Sequence, residues 1–99
     1  MEIKKELQGD NLTISLQGRL DAITSPDLDK VIQTDLNGIT ALTFDFAELD
    51  YVASAGLRVL LMAQKKMNKQ GDMKIINVCD DVKDVFEMTG FLDFLNVEE

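Results

Sequence analysis

The chain has 99 residues, a length that supports one folded domain with a real core but not separate substrate and cofactor domains. It is 45% hydrophobic and 28% charged, the balance of a folded protein rather than a disordered one. Its formal charge of −8 argues against direct nucleic-acid binding, which needs clustered Lys and Arg, and against a peripheral anchor on anionic lipid.

Residues 2–7 read as a strand, followed by the turn Gln8-Gly9-Asp10-Asn11. Residues 12–17 alternate apolar and polar, the mark of a strand with one face buried, so the pair forms a hairpin. Gly18-Arg19-Leu20-Asp21 breaks that pattern. A helix then opens with Ser25 as N-cap, Pro26 as first helical residue and Asp27 in the first turn. Leu28, Val31, Ile32 and Leu36 follow at helical spacing, up to a stop at Asn37-Gly38. Residues 41–46 form the next strand, closed by an acidic turn at Glu48-Leu49-Asp50.

Tyr51-Val52-Ala53-Ser54-Ala55-Gly56-Leu57 then hands over to a helix that runs without a breaker to Gly71. Ser54 stands where an N-cap is expected, with small neighbours that leave its hydroxyl and the first-turn amides open. Lys65, Lys66 and Lys69 complement the negative end of that helix. Apolar residues cover more of its circumference than one sheet face requires, so Val59 and Met62 are candidates for an exposed docking face, and Arg58 for steering an acidic partner. Residues 73–78 are a further strand, more continuously apolar than the others, as expected in the middle of a sheet. Asp80 and Asp81 start a last helix, with Val82, Val85 and Phe86 inward and Gly90 as its stop, and residues 91–95 form either a short helical turn or a lead into an edge strand at 95–97. Strands alternating with helices make this an α/β chain with a sheet of mixed direction.

The chemistry-bearing residues are as informative by what is missing. Histidine is absent, which removes a Ser-His-Asp triad, a Cys-His dyad and every histidine-containing metal site. The stretch around Ser54 is not a G-x-S-x-G elbow, because Val52 stands in place of the first glycine, and no phosphate-binding glycine loop occurs. No enzyme, cofactor, metal or small-molecule substrate is expected. A lone cysteine, Cys79, a charged opening at Met1-Glu2-Ile3-Lys4-Lys5-Glu6 and no run of about twenty apolar residues lead to the expectation of a cytoplasmic protein without membrane contact.

Gly18-Arg19-Leu20-Asp21, Phe44-Asp45-Phe46, Tyr51 through Leu57 and Val85-Phe86-Glu87-Met88-Thr89-Gly90-Phe91 together resemble the STAS domain family of anti-sigma factor antagonists. The resemblance implies one STAS domain over residues 1–99, with a mixed sheet of four to five strands and helices packed mainly on one face. It implies that Ser54 is phosphorylated by a partner that is both anti-sigma factor and serine kinase, that a serine phosphatase reverses the mark, and that phosphorylation switches binding off. Asp21 matches a second kinase contact. The partner-binding set is Asp21, Ala53, Ser54, Ala55, Gly56, Arg58, Val59 and Met62. The acid that the family usually carries before the serine is Ala53 here, although a subset reads Ser-Ser-Ala-Gly-Leu-Arg. Two other roles stay open: a STAS subunit on the ATPase of a lipid transporter, and a domain that binds a nucleotide at the Ser54 helix end.

Overall fold

A computed structural model describes residues 1–98, so Glu99, the last residue of the expected domain, lies outside the described residues. Four strands form one sheet in the order β1 (Glu2–Gln8), β2 (Asn11–Leu20), β3 (Ala41–Val52) and β4 (Asp72–Ile76). The first two pair antiparallel as the predicted hairpin, and β2, β3 and β4 run parallel, so the sheet is mixed. Helix α1 (Ser25–Asp35) connects β2 to β3, α2 (Ser54–Met67) connects β3 to β4, and α3 (Asp80–Thr89) follows β4. A 3₁₀ turn at Phe91–Asp93 completes the described elements. Among the described residues no helix is long and apolar enough to cross a membrane.

The period-two pattern decides which face is covered. Leu12, Ile14, Leu16, Leu42, Phe44, Phe46, Met73 and Ile75 are all buried, whereas the residues alternating with them, Thr13, Ser15, Thr43, Asp45 and Lys74, are not. The helices therefore pack on the apolar face and leave the polar one open. Leu28, Ile32, Leu57, Leu60, Ala63, Met67, Val82 and Phe86 close the core from the helix side. At the sheet edge, Lys5 Nζ lies 2.7 Å from Asp35 Oδ2 and ties β1 to the end of α1. That lysine holds the Asp35 carboxyl below its ordinary pKa, with help from the Thr34 hydroxyl.

Four local expectations are corrected. The α1 cap is Thr24, not Ser25; Ser25 lies one residue inside the helix, is buried, and gives its amide to the Asp21 carbonyl. Glu48-Leu49-Asp50 is not a turn but part of the twelve-residue β3. The register against β2 slips between Ser15 and Gln17 and again between Gly18 and Arg19, with β3 carrying the extra residues as bulges. Each bulge breaks the alternation while keeping Leu49 and Val52 inward, which makes the stretch read as a turn. The strand at 72–76 is an edge strand rather than a central one, and the expected last strand is a single parallel bridge from Val97 to Ile75.

Phe44 and Phe46 sit at the centre of this core with ring centroids 5.9 Å apart, and neither is exposed. Phe44→Ala removes most of a fully enclosed ring and should cost about 3–5 kcal/mol, read as a lower urea midpoint at unchanged slope.

Candidate functional site

Two segments far apart in sequence meet at the carboxyl ends of β2 and β3. Parallel pairing sets Arg19 beside Tyr51 and Leu20 beside Val52. One residue further on, the Ala53 amide donates to the Leu20 carbonyl at 2.8 Å. Ala53 is still extended (φ −94°, ψ 175°) and is the true N-cap of α2; its carbonyl accepts the Leu57 amide at 3.0 Å. Ser54 is thus the first helical residue rather than the cap, a correction that follows from the helix opening one residue earlier than expected. Alanine offers no side-chain acceptor, so no side chain caps this helix. Ser54 is exposed, and its hydroxyl makes no hydrogen bond with the described residues. The amides of Ser54 and Ala55 lie in the turn for which a helix supplies no acceptor of its own.

Gly56 explains why small residues crowd this start. A Cβ there would stand 2.6 Å from Leu20 Cγ and 3.0 Å from the Leu20 carbonyl oxygen, and Leu20 is wholly buried with nowhere to retreat. Only glycine lets α2 seat itself directly on the end of β2. Gly18 serves the same junction from the other strand. It lies where the register shifts, with φ +106°, a conformation that side chains other than hydrogen disfavour.

Asp21 folds the loop that flanks the serine. Its Oδ1 accepts the amides of Ile23 (3.0 Å) and Thr24 (3.1 Å), and the Thr24 hydroxyl in turn accepts the Asp21 amide at 2.9 Å. The Thr24 hydroxyl also lies 2.7 Å from the Arg19 carbonyl. The Thr24 amide, then that of Ile23, holds the Asp21 carboxyl below its ordinary pKa against some opposing desolvation; the Thr24 hydroxyl and Arg19 add to the effect. Among the described residues the second oxygen, Oδ2, has Arg19 Nε at 3.9 Å as its partner. Asp21 is therefore first a loop organiser, with one carboxylate oxygen left over for an outside contact.

The predicted partner-binding residues divide in two. Ser54, Arg58 and Met62 fall at successive four-residue steps on the outer side of α2, and all are exposed, Met62 to 47%. Ala53 and Ala55 are half-buried beside them. Val59 is overturned as an exposed contact: at 6% exposure it belongs to the core, covered by the packing of the helices against each other and the sheet. Gly56 is likewise buried and faces Leu20, so a partner cannot lie on it. Three surface residues went unpredicted. Ile23 is 86% exposed at the tip of the Asp21 loop, and the Arg19 guanidinium lies 4.3 Å above the centre of the exposed Tyr51 ring. A β-branched apolar residue inside a turn, outside any periodic run, was the available signal for Ile23. Among the described residues no group of His, Cys, Asp or Glu converges as a metal site.

Residues 2–99 match the STAS domain. The chain belongs to the STAS domain family. It is 32% identical over 88 residues to BtrV of Bordetella bronchiseptica, named as a candidate anti-sigma factor antagonist; the match spans 87% of this chain and 76% of that protein. An anti-sigma-B factor antagonist of Listeria monocytogenes is 27% identical over 95% of this chain and 84% of its own length. In fold the STAS chain is similar to an anti-sigma factor antagonist from Mycobacterium paratuberculosis, with a TM-score of 0.87 at 20% identity over 97% of this chain and 83% of that one. It is also similar to the Bacillus protein SpoIIAA in its phosphorylated form, with a TM-score of 0.76 at 19% identity over 99% of this chain and 92% of that one. Proteins related to this STAS domain in sequence and structure are thus anti-sigma factor antagonists.

Helix propensity alone favours Gly56→Ala by about 1 kcal/mol, but the overlap with Leu20 costs about 1–3 kcal/mol. The variant should be destabilised in urea, and Leu20→Ala in the same chain should relieve part of the extra penalty. Because the folded Asp21 carboxyl has a lowered pKa, its stabilising effect is present above the ordinary carboxylate range and is lost as pH falls through the folded value. Asp21→Ala should therefore lower the urea midpoint at pH 7, with a gap from wild type that narrows in acid.

Proposed function

We propose that this STAS domain is an anti-sigma factor antagonist whose unmodified form binds an anti-sigma factor serine kinase and so frees a sigma factor, with Ser54 as the modified residue. The observation that carries this reading is the exposed Ser54 hydroxyl at the start of α2, without a hydrogen-bond partner among the described residues, with Arg58 and Met62 exposed further along the same side of the helix. The chain has no histidine to activate that hydroxyl, so the group-transfer chemistry belongs to the partner: the kinase moves the γ-phosphoryl group of ATP to Oγ and releases ADP. A phosphatase returns inorganic phosphate and the free hydroxyl.

The placement suits a switch that changes binding and spares the fold. A phosphate at the first residue of α2 adds about −1.5 to −2 charges beside free amides and the positive end of the helix, which tolerate it. An acid on the partner about 6 Å away would then be repelled by roughly 2–3 kcal/mol per unit charge at an effective dielectric near 20. That corresponds to about a hundredfold in affinity. Ala53, standing where the family usually has an acid, removes one negative charge from the kinase's recognition surface without touching the acceptor hydroxyl.

Incubation with ATP and the anti-sigma factor kinase of the same cell should label the wild-type protein and leave Ser54→Ala unlabelled, whereas equal label on both would move the site elsewhere. In a pull-down with that kinase, Ser54→Asp should lose about a hundredfold in affinity.

A further inference from the structure

The outward side of α2 continues well below Ser54. At 3.6 residues and 1.5 Å rise per residue, Ser54, Arg58, Met62 and Lys65 share an arc of about 80° along roughly 17 Å of helix, and Lys69 in the following turn falls within it. The opposite arc, with Gly56, Leu57, Val59, Leu60, Ala63 and Met67, is buried. This strip is the reverse of the rest of the chain in charge. No acidic residue occurs between Asp50 and Asp72, where Arg58, Lys65, Lys66 and Lys69 all lie, yet the whole chain carries −8. Among the described residues Arg58, Lys65 and Lys69 have no acid within ion-pair distance, while Lys66 reaches back to the Ile32 carbonyl of α1. Met62, Lys65, Lys66, Lys69 and Gln70 line an open hollow of about 430 Å³. Complementing the helix dipole accounts for Lys65 and Lys66, but for neither Arg58 nor an exposed Met62.

We infer that this strip, from Arg58 through Met62 to Lys65 and Lys69, is a second half of the partner surface, and that it takes an acidic, amphipathic segment of the anti-sigma factor kinase. The inference rests on the function proposed above and names the partner chemistry that function leaves open. Met62 supplies an adaptable apolar contact, and the flanking cations set the sign and the register of what lies on it. The strip is continuous with Ser54, so one partner can cover both. A strip this short beside a surface of net negative charge suits a local acidic segment better than a lipid headgroup layer or a nucleic-acid backbone, both of which meet the rest of the molecule as well. Phosphorylation of Ser54 bears on the strip directly, because Arg58 lies one turn further on the same side, within reach of the phosphate. The modification thus lowers the positive charge of the strip as it adds its own.

The test is the double charge reversal Lys65→Glu/Lys69→Glu, made at two exposed positions so that the fold is spared. It is titrated with the kinase, with a synthetic Glu/Leu helical peptide, with phosphatidylserine vesicles and with a single-stranded oligonucleotide. The expected result is about tenfold weaker binding of both kinase and peptide, with a shallower salt dependence, while Ser54 is still labelled at saturating kinase. Amide shifts caused by the peptide in the wild-type protein should centre on 58–70. Unchanged kinase and peptide affinities in the reversed variant would overturn the inference, as would vesicles or oligonucleotide binding the strip more tightly than the peptide. Ser54→Asp, run in parallel, keeps the two readings apart. If it leaves kinase binding intact while the charge reversal weakens it, the Ser54 switch fails and the strip stands.

Discussion

The hydrogen bond from the Ala53 amide to the Leu20 carbonyl, with Gly56 resting on the Leu20 side chain, is the contact on which the arrangement of the site depends. It fixes where β3 stops and where α2 begins, and so which residue is presented at the first helical position. It also joins the Gly18-Arg19-Leu20-Asp21 segment to the Ser54 segment, which lie more than thirty residues apart. Leu20 is fully buried, so this junction is part of the core rather than an ornament of the surface. The serine's position is set by packed support, and it is accessible because that support lies beneath it.

Around that junction the molecule separates packed and exposed positions by residue, not by segment. Within α2, one arc is sealed against the sheet and the other helices while the opposite arc shows Ser54, Arg58 and Met62. Within the Asp21 loop, one carboxylate oxygen is taken up by backbone amides and the other remains available. A helix start with an alanine cap leaves its first amides to solvent, which costs little at an exposed end and lets a phosphate be accepted there without rearrangement. Under the proposed function, modification at such a place would change what the surface attracts while the fold beneath stays the same.

Much of this was legible along the chain. Strict alternation in Leu12-Thr13-Ile14-Ser15-Leu16 gave both a strand and the side it buries, because a period of two leaves no freedom once one face is apolar. The small residues around Ser54 located an exposed hydroxyl at the start of a helix. What misled was local. Glu48-Leu49-Asp50 looked like a turn because two bulges replace alternation with another spacing, and bulges depend on the neighbouring strand. Val59 looked available because a helix seen alone does not reveal how much of its circumference its neighbours cover.

The sequence by itself therefore determined the order of elements, the mixed α/β class, the charge, and a serine among small residues at the start of the second helix, since these follow from periodicity, turn chemistry and composition. Only the tertiary structure decided that Ser54 is the first helical residue rather than its cap, that Gly56 is reserved for Leu20, that Ile23, Tyr51 and Arg19 share the surface, and that α2 turns an acid-free strip outward. Each of those is a relation between residues distant in the chain, set by strand register and close packing, which no local pattern of amino acids encodes.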